Sequence, residues 1–332
     1  MSKNSYLITG GTGSFGNAFV SNLIKSKKNI SKLVIFSRDE LKQSIMSSKY
    51  PHSKYPFIRF YIGDVRDNER ILSASEGVEN IIHAAALKQV PSTEYNPFEA
   101  VQTNIIGSQN VIKAALSNNV KRVVALSTDK ACAPINLYGA TKLCSDKLFI
   151  SANNIKGKRD VKFSVVRYGN VFGSRGSVYP LFKSLIDEKA FPITDKNMTR
   201  FNISLDEGVS YVMWAIENSY GGEIIVPKLR SFKITDLARA IDPTKKNKFI
   251  GIRAGEKIHE QMISKSDSYN TLEMKNFYAI LNTNNNSIKQ YYLKKFKAKK
   301  VKEGFEYSSN FNTDFMSTKD LKKIIQNYEK KL

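Results

Sequence analysis

The chain has 332 residues, of which 41% are hydrophobic and 25% are charged. This composition is ordinary for a globular protein and excludes wholesale disorder and a fibrous repeat. No stretch approaches the roughly 18 apolar residues that a membrane span requires. Two cysteines and three histidines, without a close cluster, predict neither a disulfide framework nor a metal site. No signal peptide precedes the first glycine motif, so we expect a cytoplasmic protein.

The net charge is +22, from 52 basic and 30 acidic residues. A basic balance of this size is compatible with nucleic acid, a membrane surface or an anionic substrate. Its densest part is a lysine-rich run over residues 294–302. Because no helix-turn-helix, zinc-finger or RNP-type signature accompanies this run, we interpret it as a solvated basic face and expect no nucleic-acid partner.

Short apolar strands alternate with helical patterns through the first half of the chain. The predicted strands are residues 6–9, 33–36, 57–62, 80–86, 122–126 and 163–167. The predicted helices are residues 15–25, 39–48, 68–75, 97–118 and 136–153. Asn96 is expected to cap the fourth of these helices and Pro97 to occupy its first position.

This alternation predicts an α/β fold, a Rossmann-type doubly wound parallel sheet with a smaller C-terminal substrate-binding domain. We assign residues 1–169 to the dinucleotide-binding domain, to which some later elements return. Residues 170–285 are assigned to the substrate-binding region, and residues 286–332 to a basic C-terminal extension.

A glycine-rich turn separates the first predicted strand from the first predicted helix. Gly11, Gly13 and Gly16 fit G-x-G-x-x-G, and Gly10, Gly13 and Gly16 fit G-x-x-G-x-x-G. Between a strand and a helix, this pattern predicts a cradle for a dinucleotide pyrophosphate at the helix N-terminus, the alternative being a turn without a ligand. The cofactor-binding residues assigned to this turn are Gly10, Thr12, Gly13, Ser14, Phe15 and Gly16.

The second predicted strand ends in Ser37-Arg38-Asp39-Glu40. An arginine at this position accommodates a ribose 2′-phosphate, whereas an acidic residue binds a 2′-hydroxyl. Arg38 comes before the acidic pair, so we favour NADP, while Asp39 and Glu40 keep NAD open. Asp64, after the third strand, is a candidate adenine contact or an ordinary turn residue.

Tyr138 and Lys142 form a Y-x-x-x-K pair on the helix that follows the strand ending in Ser127-Thr128. Positions i and i+4 share one helix face, so both side chains can enter one site. A nearby cation lowers the pKa of a tyrosine, which could then take a proton from a substrate hydroxyl. Alone, the pair could be an ordinary solvated contact. With the glycine turn, it resembles the extended short-chain dehydrogenase/reductase superfamily that acts on nucleotide sugars.

Asp129 and Lys130 follow that strand directly, where nucleotide-sugar 4,6-dehydratases place an acid and a base. Oxidation of a sugar at C4 acidifies the C5 proton, so a base must remove it while an acid protonates the departing C6 hydroxyl. Asp129 fits the acid if burial raises its pKa. Lys130 fits the base if burial and the neighbouring Lys142 lower its pKa.

The wider pattern resembles the C5-inverting UDP-N-acetylglucosamine 4,6-dehydratases of pseudaminic acid synthesis. The stretches that carry the resemblance are residues 37–43, 83–88, 127–131, 137–147, 166–171, 173–177, 198–201 and 251–257. This resemblance implies bound NADP that is regenerated in each cycle and the product UDP-2-acetamido-2,6-dideoxy-β-L-arabino-hex-4-ulose. It also implies a homo-oligomer and a pathway that leads to glycosylated flagellin.

The resemblance implies further site residues. Those added for the cofactor are Ser37, Lys42, Val65, Ala84, Lys88, Tyr138, Lys142 and Val171. Those for UDP-N-acetylglucosamine are Lys88, Asn170, Arg175, Arg200, Arg253 and Glu256. Arg200 and Arg253 are expected on the diphosphate and Glu256 on the uridine ribose, although each arginine could instead form a structural salt bridge.

Three rival functions remain open. A nucleotide-sugar 4-epimerase would need Tyr138 and Lys142 but not Asp129 and Lys130. The related inverting dehydratase of capsular sugar synthesis is disfavoured by Tyr138. A non-catalytic dinucleotide-binding regulator would need none of these four residues.

Overall fold

A ten-stranded, mostly parallel sheet forms the centre of the molecule, which is described by a computed structural model over residues 4–26, 29–174, 176–281 and 286–330. The strands are β1 Asn4–Thr9, β2 Ile30–Ser37, β3 Ile58–Ile62, β4 Asn80–His83, β5 Arg122–Thr128, β6 Lys162–Tyr168, β7 Asn170–Val171, β8 Ala190–Ile193, β9 Thr199–Ile203, β10 Glu223–Pro227, β11 Arg230–Lys233, β12 Lys246–Phe249, β13 Gln261–Ile263, β14 Thr271–Glu273, β15 Phe277–Leu281, β16 Lys299–Lys300 and β17 Tyr307–Ser308.

Twelve α-helices lie along the described residues, and several of them pack on the sheet. They are α1 Ser14–Lys25, α2 Glu40–Lys49, α3 Asn68–Ala74, α4 Val90–Tyr95, α5 Pro97–Val101, α6 Gly107–Ser117, α7 Leu137–Ile155, α8 Val178–Ser184, α9 Leu205–Asn218, α10 Ile234–Ile241, α11 Asn286–Phe296 and α12 Thr318–Glu329. None of the described helices is both long and apolar enough to cross a bilayer.

The order of the large sheet is β16-β14-β15-β10-β6-β5-β4-β1-β2-β3. The strands from β10 to β3 are parallel neighbours, and β15, β14 and β16 extend the sheet in antiparallel fashion. The order reverses between β1 and β4, which opens a crevice at the carboxyl ends of these strands. The predicted doubly wound sheet is confirmed.

The predicted strands and helices of the first half are confirmed, with ends that move by a few residues. Two local expectations are wrong. The Asn96 side chain does not cap α5, because its Nδ2 donates back to the Ser92 carbonyl at 3.1 Å. The predicted long helix also contains a π-helical turn over Gln102–Ile106. This turn lies where Asn104 bonds both backbone polar groups of Leu87, which ties the helix to the loop after β4.

A smaller unit packs beside the carboxyl edge of the large sheet. It contains the three-stranded sheet β11-β9-β7 and the pair β12-β8. Its own core joins α8, α10 and α12 through aromatic and aliphatic side chains such as Phe182, Phe191 and Leu237. The large sheet takes β10 and β14–β16 from beyond residue 170, so the boundaries that we assigned to three domains stay a prediction.

Candidate active site

A cleft of about 800 Å³ lies between the large sheet and the smaller unit. It brings together almost all of the described residues that the sequence assigned to a site. Two of the assigned residues do not line it. Gly16 packs behind the turn, where a Cβ would lie 2.2 Å from the Gly11 carbonyl oxygen, and Glu40 is an exposed first residue of α2. Arg175 lies outside the described residues.

The glycine turn forms one wall of the cleft. Gly10 has φ +65°, and a Cβ there would lie 2.9 Å from the Ala85 backbone nitrogen, so only glycine lets the turn approach the loop after β4. The N-cap residue of α1 is Gly13, which offers no side chain to the first N–H groups of that helix. A helix that begins in this way at a switch point fits the pyrophosphate of a dinucleotide.

The end of β2 carries the groups that would face an adenosine ribose. The carboxylate of Asp39 accepts from the Lys42 backbone N–H at 2.9 Å, which caps α2, and also contacts the Lys42 ammonium group. The exposed Arg38 guanidinium lies 3.4 Å from Asp64. Burial raises the pKa of Asp64, but hydrogen bonds and charge from Arg66 and Arg38 outweigh it and hold that pKa below its ordinary value.

Helix α7 presents Tyr138 and Lys142 to the cleft from successive turns. It begins at Leu137 because Asn136 caps it, accepting from the Gly139 N–H at 2.8 Å. Our expectation of a lowered tyrosine pKa is wrong. Burial raises the pKa of Tyr138 to about 12, and the opposing influence of Lys130 and Thr128 is smaller. Burial also lowers the pKa of Lys142.

A three-member charge cluster faces Tyr138. The Lys130 Nζ lies 3.1 Å from Asp129 Oδ1 and 2.8 Å from Glu260 Oε1. Burial and the charge of Glu260 raise the pKa of Asp129, which is the direction that we expected for an acid. The expected lowering of the Lys130 pKa is wrong. Burial does lower it, but the carboxylates of Asp129 and Glu260 outweigh burial and raise it above its ordinary value.

Glu260 lines the cleft and Gly139 supports it from behind, and the sequence analysis assigned a role to neither. Glu260 is only 1% exposed and directly precedes β13. It belongs to no local sequence motif. A Cβ on Gly139 would lie 2.2 Å from the Lys130 carbonyl oxygen, so glycine allows α7 to contact the turn that carries Lys130. A glycine inside a predicted helix is the signal that could have revealed this contact.

The opposite end of the cleft carries the residues assigned to the substrate. Asn170 Oδ1 is buried and has no hydrogen-bond partner among the described residues, so it is available to a ligand. The Arg200 guanidinium is nearly buried and donates to the carbonyls of Thr199, Ile258 and Lys257. This directs most of its donors into the protein, and its contact with a diphosphate stays a prediction.

Arg253 and Glu256 lie on the loop that borders this end of the cleft. The Arg253 side chain is 65% exposed and its Nε lies 3.1 Å from Glu256 Oε2. The same oxygen accepts from Thr194 Oγ1 at 3.2 Å. Arg253 Nη2 also donates to Glu256 Oε1 at 3.3 Å, so Nη1 is the nitrogen of this guanidinium best placed to bind an anion.

The chain is similar to known proteins over most of its length. Residues 6–282 match the family described as polysaccharide biosynthesis protein. Over 98% of the chain and 98% of the relative, the sequence is 53% identical to UDP-N-acetylglucosamine 4,6-dehydratase (inverting) of Campylobacter jejuni subsp. jejuni serotype O:2. It is 41% identical, over 96% of the chain and 94% of the relative, to UDP-glucose 4-epimerase of Rickettsia typhi. The structure of Pen from Bacillus thuringiensis matches 99% of the chain and 98% of its own, at 36% identity and a TM-score of 0.89.

Proposed function

The chain belongs to the polysaccharide biosynthesis protein family, within the extended short-chain dehydrogenases/reductases, and we propose that it is an inverting UDP-N-acetylglucosamine 4,6-dehydratase. As a hydro-lyase it converts UDP-N-acetylglucosamine to UDP-2-acetamido-2,6-dideoxy-β-L-arabino-hex-4-ulose. The observation that carries this proposal is the placement of Asp129 and Lys130 beside Tyr138 in one cleft. An epimerase has no use for that acid and base.

Four side chains share the steps of the proposed reaction. Tyr138, whose pKa burial raises to about 12, must first pass its own proton to solvent. The phenolate, stabilised by Lys142, then accepts the proton of the C4 hydroxyl, and Lys142 also holds the nicotinamide ribose. A bound nicotinamide dinucleotide supplies reversible acceptance of hydride. Lys130 removes the C5 proton that the C4 ketone has acidified. Asp129, whose pKa is raised by burial and by Glu260, donates its proton to the C6 hydroxyl as it leaves as water.

We favour NADP over NAD because of the contacts at the end of β2. Asp39, the residue that would bind a 2′-hydroxyl, caps α2 and contacts Lys42. Arg38 projects a 52% exposed side chain at the same edge, where its guanidinium can accept a 2′-phosphate. The two cations therefore outweigh the carboxylate at this position.

The substrate enters from the side of the smaller unit. The uridine diphosphate is assigned to Arg253 and Arg200, the uridine ribose to Glu256, and the sugar to Asn170 and Lys88. The proposed enzyme is a cytoplasmic homo-oligomer, and its product is a precursor of pseudaminic acid for flagellin glycosylation.

The decisive experiment is an NMR time course in D₂O with purified protein, UDP-N-acetylglucosamine and no added reductant. A 4-keto-6-deoxy product with deuterium at C5 and the L-arabino configuration is expected. The D-xylo configuration would keep the dehydratase but contradict the role of Lys130. Formation of UDP-N-acetylgalactosamine would instead identify a 4-epimerase, the activity that the name of the Rickettsia typhi relative suggests.

A further inference from the structure

The backbone of Glu260 is anchored on both of its polar groups, although the residue belongs to no motif. Its backbone carbonyl accepts from the Ser309 N–H at 2.7 Å, and its N–H donates to Ser309 Oγ at 2.9 Å. These bonds join the segment before β13 to the segment after β17. The carboxylate is therefore presented to the cleft from a segment that is bonded to a neighbouring one and that lies 130 residues after Lys130 in the chain.

The groups that face Lys130 come from three elements. Asp129 precedes it on the turn after β5, Tyr138 lies on α7, and Glu260 comes from the segment before β13. Arg200 of β9 approaches Glu260, with its Nε 3.7 Å from Oε1, and adds positive charge near Lys130. The Lys130 ammonium group thus lies between the carboxyl groups of Asp129 and Glu260. The Tyr138 phenol is nearby, and Arg200 lies beside Glu260.

The two carboxylates of this cluster have opposite tendencies. Burial and the charge of Glu260 raise the pKa of Asp129. Burial also opposes ionisation of Glu260, but Lys130 and Arg200 outweigh it and lower the Glu260 pKa. Glu260 is therefore the ionised counter-ion, and Asp129 is the member that can carry a proton. When the surroundings push the pKa values of two acids apart in this way, the two acids can take different roles.

We propose that Glu260 is a positioning residue that fixes the Lys130 Nζ in the cleft and sets the pH at which Lys130 becomes an uncharged base, an inference whose catalytic consequence rests on the proposed function. To remove the C5 proton, the Lys130 ammonium must first lose one of its own protons to water in the cleft, to which a quarter of its side chain is exposed. The C5–H bond then breaks, a new N–H bond forms on Nζ, and the electron pair moves toward the C4 ketone. The negative charge of Glu260 opposes loss of the proton from Lys130, because it stabilises the ammonium form. For the same reason it favours the later transfer of the C5 proton to Lys130.

The proposal can be tested without substrate by NMR of protein labelled with ¹³C at lysine Cε, with Lys130 assigned from a Lys130→Met variant. In the unaltered protein the Lys130 signal should remain that of an ammonium at the pH where free lysine titrates, about pH 10.4. In Glu260→Gln its midpoint should fall by about one pH unit or more, because an opposite charge in contact shifts a pKa by about 1–3 units. Glu260→Asp keeps the charge and should keep the high midpoint.

Glu223→Gln is the matched control, since Glu223 is also fully buried but lies at the start of β10, away from the cleft. It should leave the Lys130 titration unchanged. An unchanged Lys130 midpoint in Glu260→Gln would overturn the proposal. So would a Lys130 midpoint at or below that of free lysine in the unaltered protein, a result that needs no folded variant.

Kinetics extend the test to the reaction. In Glu260→Gln the rise of kcat with pH should move to lower pH, with KM little changed, whereas a purely structural role would lower kcat at every pH without moving the profile. Glu260→Asp should lower kcat while keeping the pH profile. Absence of any dehydratase activity in the unaltered protein would refute the proposed function, and the NMR titration would still decide the role of Glu260.

Discussion

Two buried ion clusters flank the carboxyl end of β5, and they differ in the cation at their centre. In the first, Lys130 lies between two carboxylates and keeps a quarter of its side chain exposed to the cleft. In the second, Arg167 Nη2 lies 3.1 Å from Asp146 Oδ2, and both side chains are almost completely buried. Ser127 Oγ donates to the same oxygen at 2.7 Å.

The difference separates the cluster that we propose to be catalytic from one that we expect to be structural. A guanidinium remains protonated at every pH that a folded protein meets, so the cluster around Arg167 can hold β5, β6 and α7 together but cannot exchange a proton. A lysine ammonium can lose its proton when its surroundings change. The cluster that contains Lys130 also opens to the cleft, where a substrate can reach it.

Removal of the lysine should have the largest effect on chemistry. We expect Lys130→Met to lower the rate of 4-keto product formation by about 10²–10⁴-fold, the usual contribution of a general base. The rate is measured by NMR with UDP-N-acetylglucosamine. Lys121→Met, which alters an exposed ion pair with Glu79, should leave that rate unchanged. Product formation by Lys130→Met at the unaltered rate would place the base elsewhere.

Removal of the buried carboxylate in the other cluster should chiefly affect stability. Asp146→Ala leaves the Arg167 charge buried without its partner, so the free energy of unfolding should fall by about 3–5 kcal/mol. Chemical denaturation measures this change. The control is Asp314→Ala, which breaks an exposed pair with Arg230 and should cost less than about 1 kcal/mol. Equal losses in the two variants would contradict the structural role.

Sequence reasoning succeeded where the chemistry lies within one short segment. The turn from Gly10 to Gly13 lies between a strand and a helix that are adjacent in the chain, and Tyr138 and Lys142 share one helix face. Local spacing therefore placed these groups in the cleft correctly. The parallel sheet could also be predicted, because strand-like segments alternate with helical segments along the chain.

Sequence reasoning failed where distant segments set the electrostatics. The Lys130 pKa was expected to be low because burial and the neighbouring Lys142 were the only influences considered. In the structure Glu260, a residue far along the chain, contacts Lys130 and reverses the direction of the shift. The Tyr138 pKa was misjudged for a related reason, because the sequence does not reveal how deeply the phenol is buried.

Glu223 is a third buried carboxylate, and its pKa can be compared with those of the carboxylates in the two clusters. Glu223 accepts from the Gly221 N–H at 2.9 Å, and burial raises its pKa to about 7. Since the folded pKa lies above the ordinary value of 4.5, this group contributes stability that is fully present below pH 4.5 and lost as the pH rises through about 7. Glu223→Gln should remove this loss.

The measurement is the difference in unfolding free energy between the two proteins at several pH values. Relative to Glu223→Gln, the unaltered protein should lose up to about 3 kcal/mol between pH 4.5 and values above 7. Taking the difference cancels opposing titrations such as that of His83, whose pKa burial lowers to about 3. A difference that is independent of pH would mean that Glu223 titrates alike in the folded and unfolded chains.

The smallest effect concerns the backbone that links the Lys130 cluster to α7. Ala133 has φ +43°, in the left-handed region where a non-glycine residue costs about 1–2 kcal/mol. The turn is held in place as Lys257 Nζ donates to the Cys132 carbonyl at 2.7 Å. Asparagine tolerates this region better, so Ala133→Asn should raise the unfolding free energy by about 0.5–1 kcal/mol. Ala133→Val, with a β-branched side chain, should lower it, and a valine variant as stable as the asparagine variant would contradict strain at this turn.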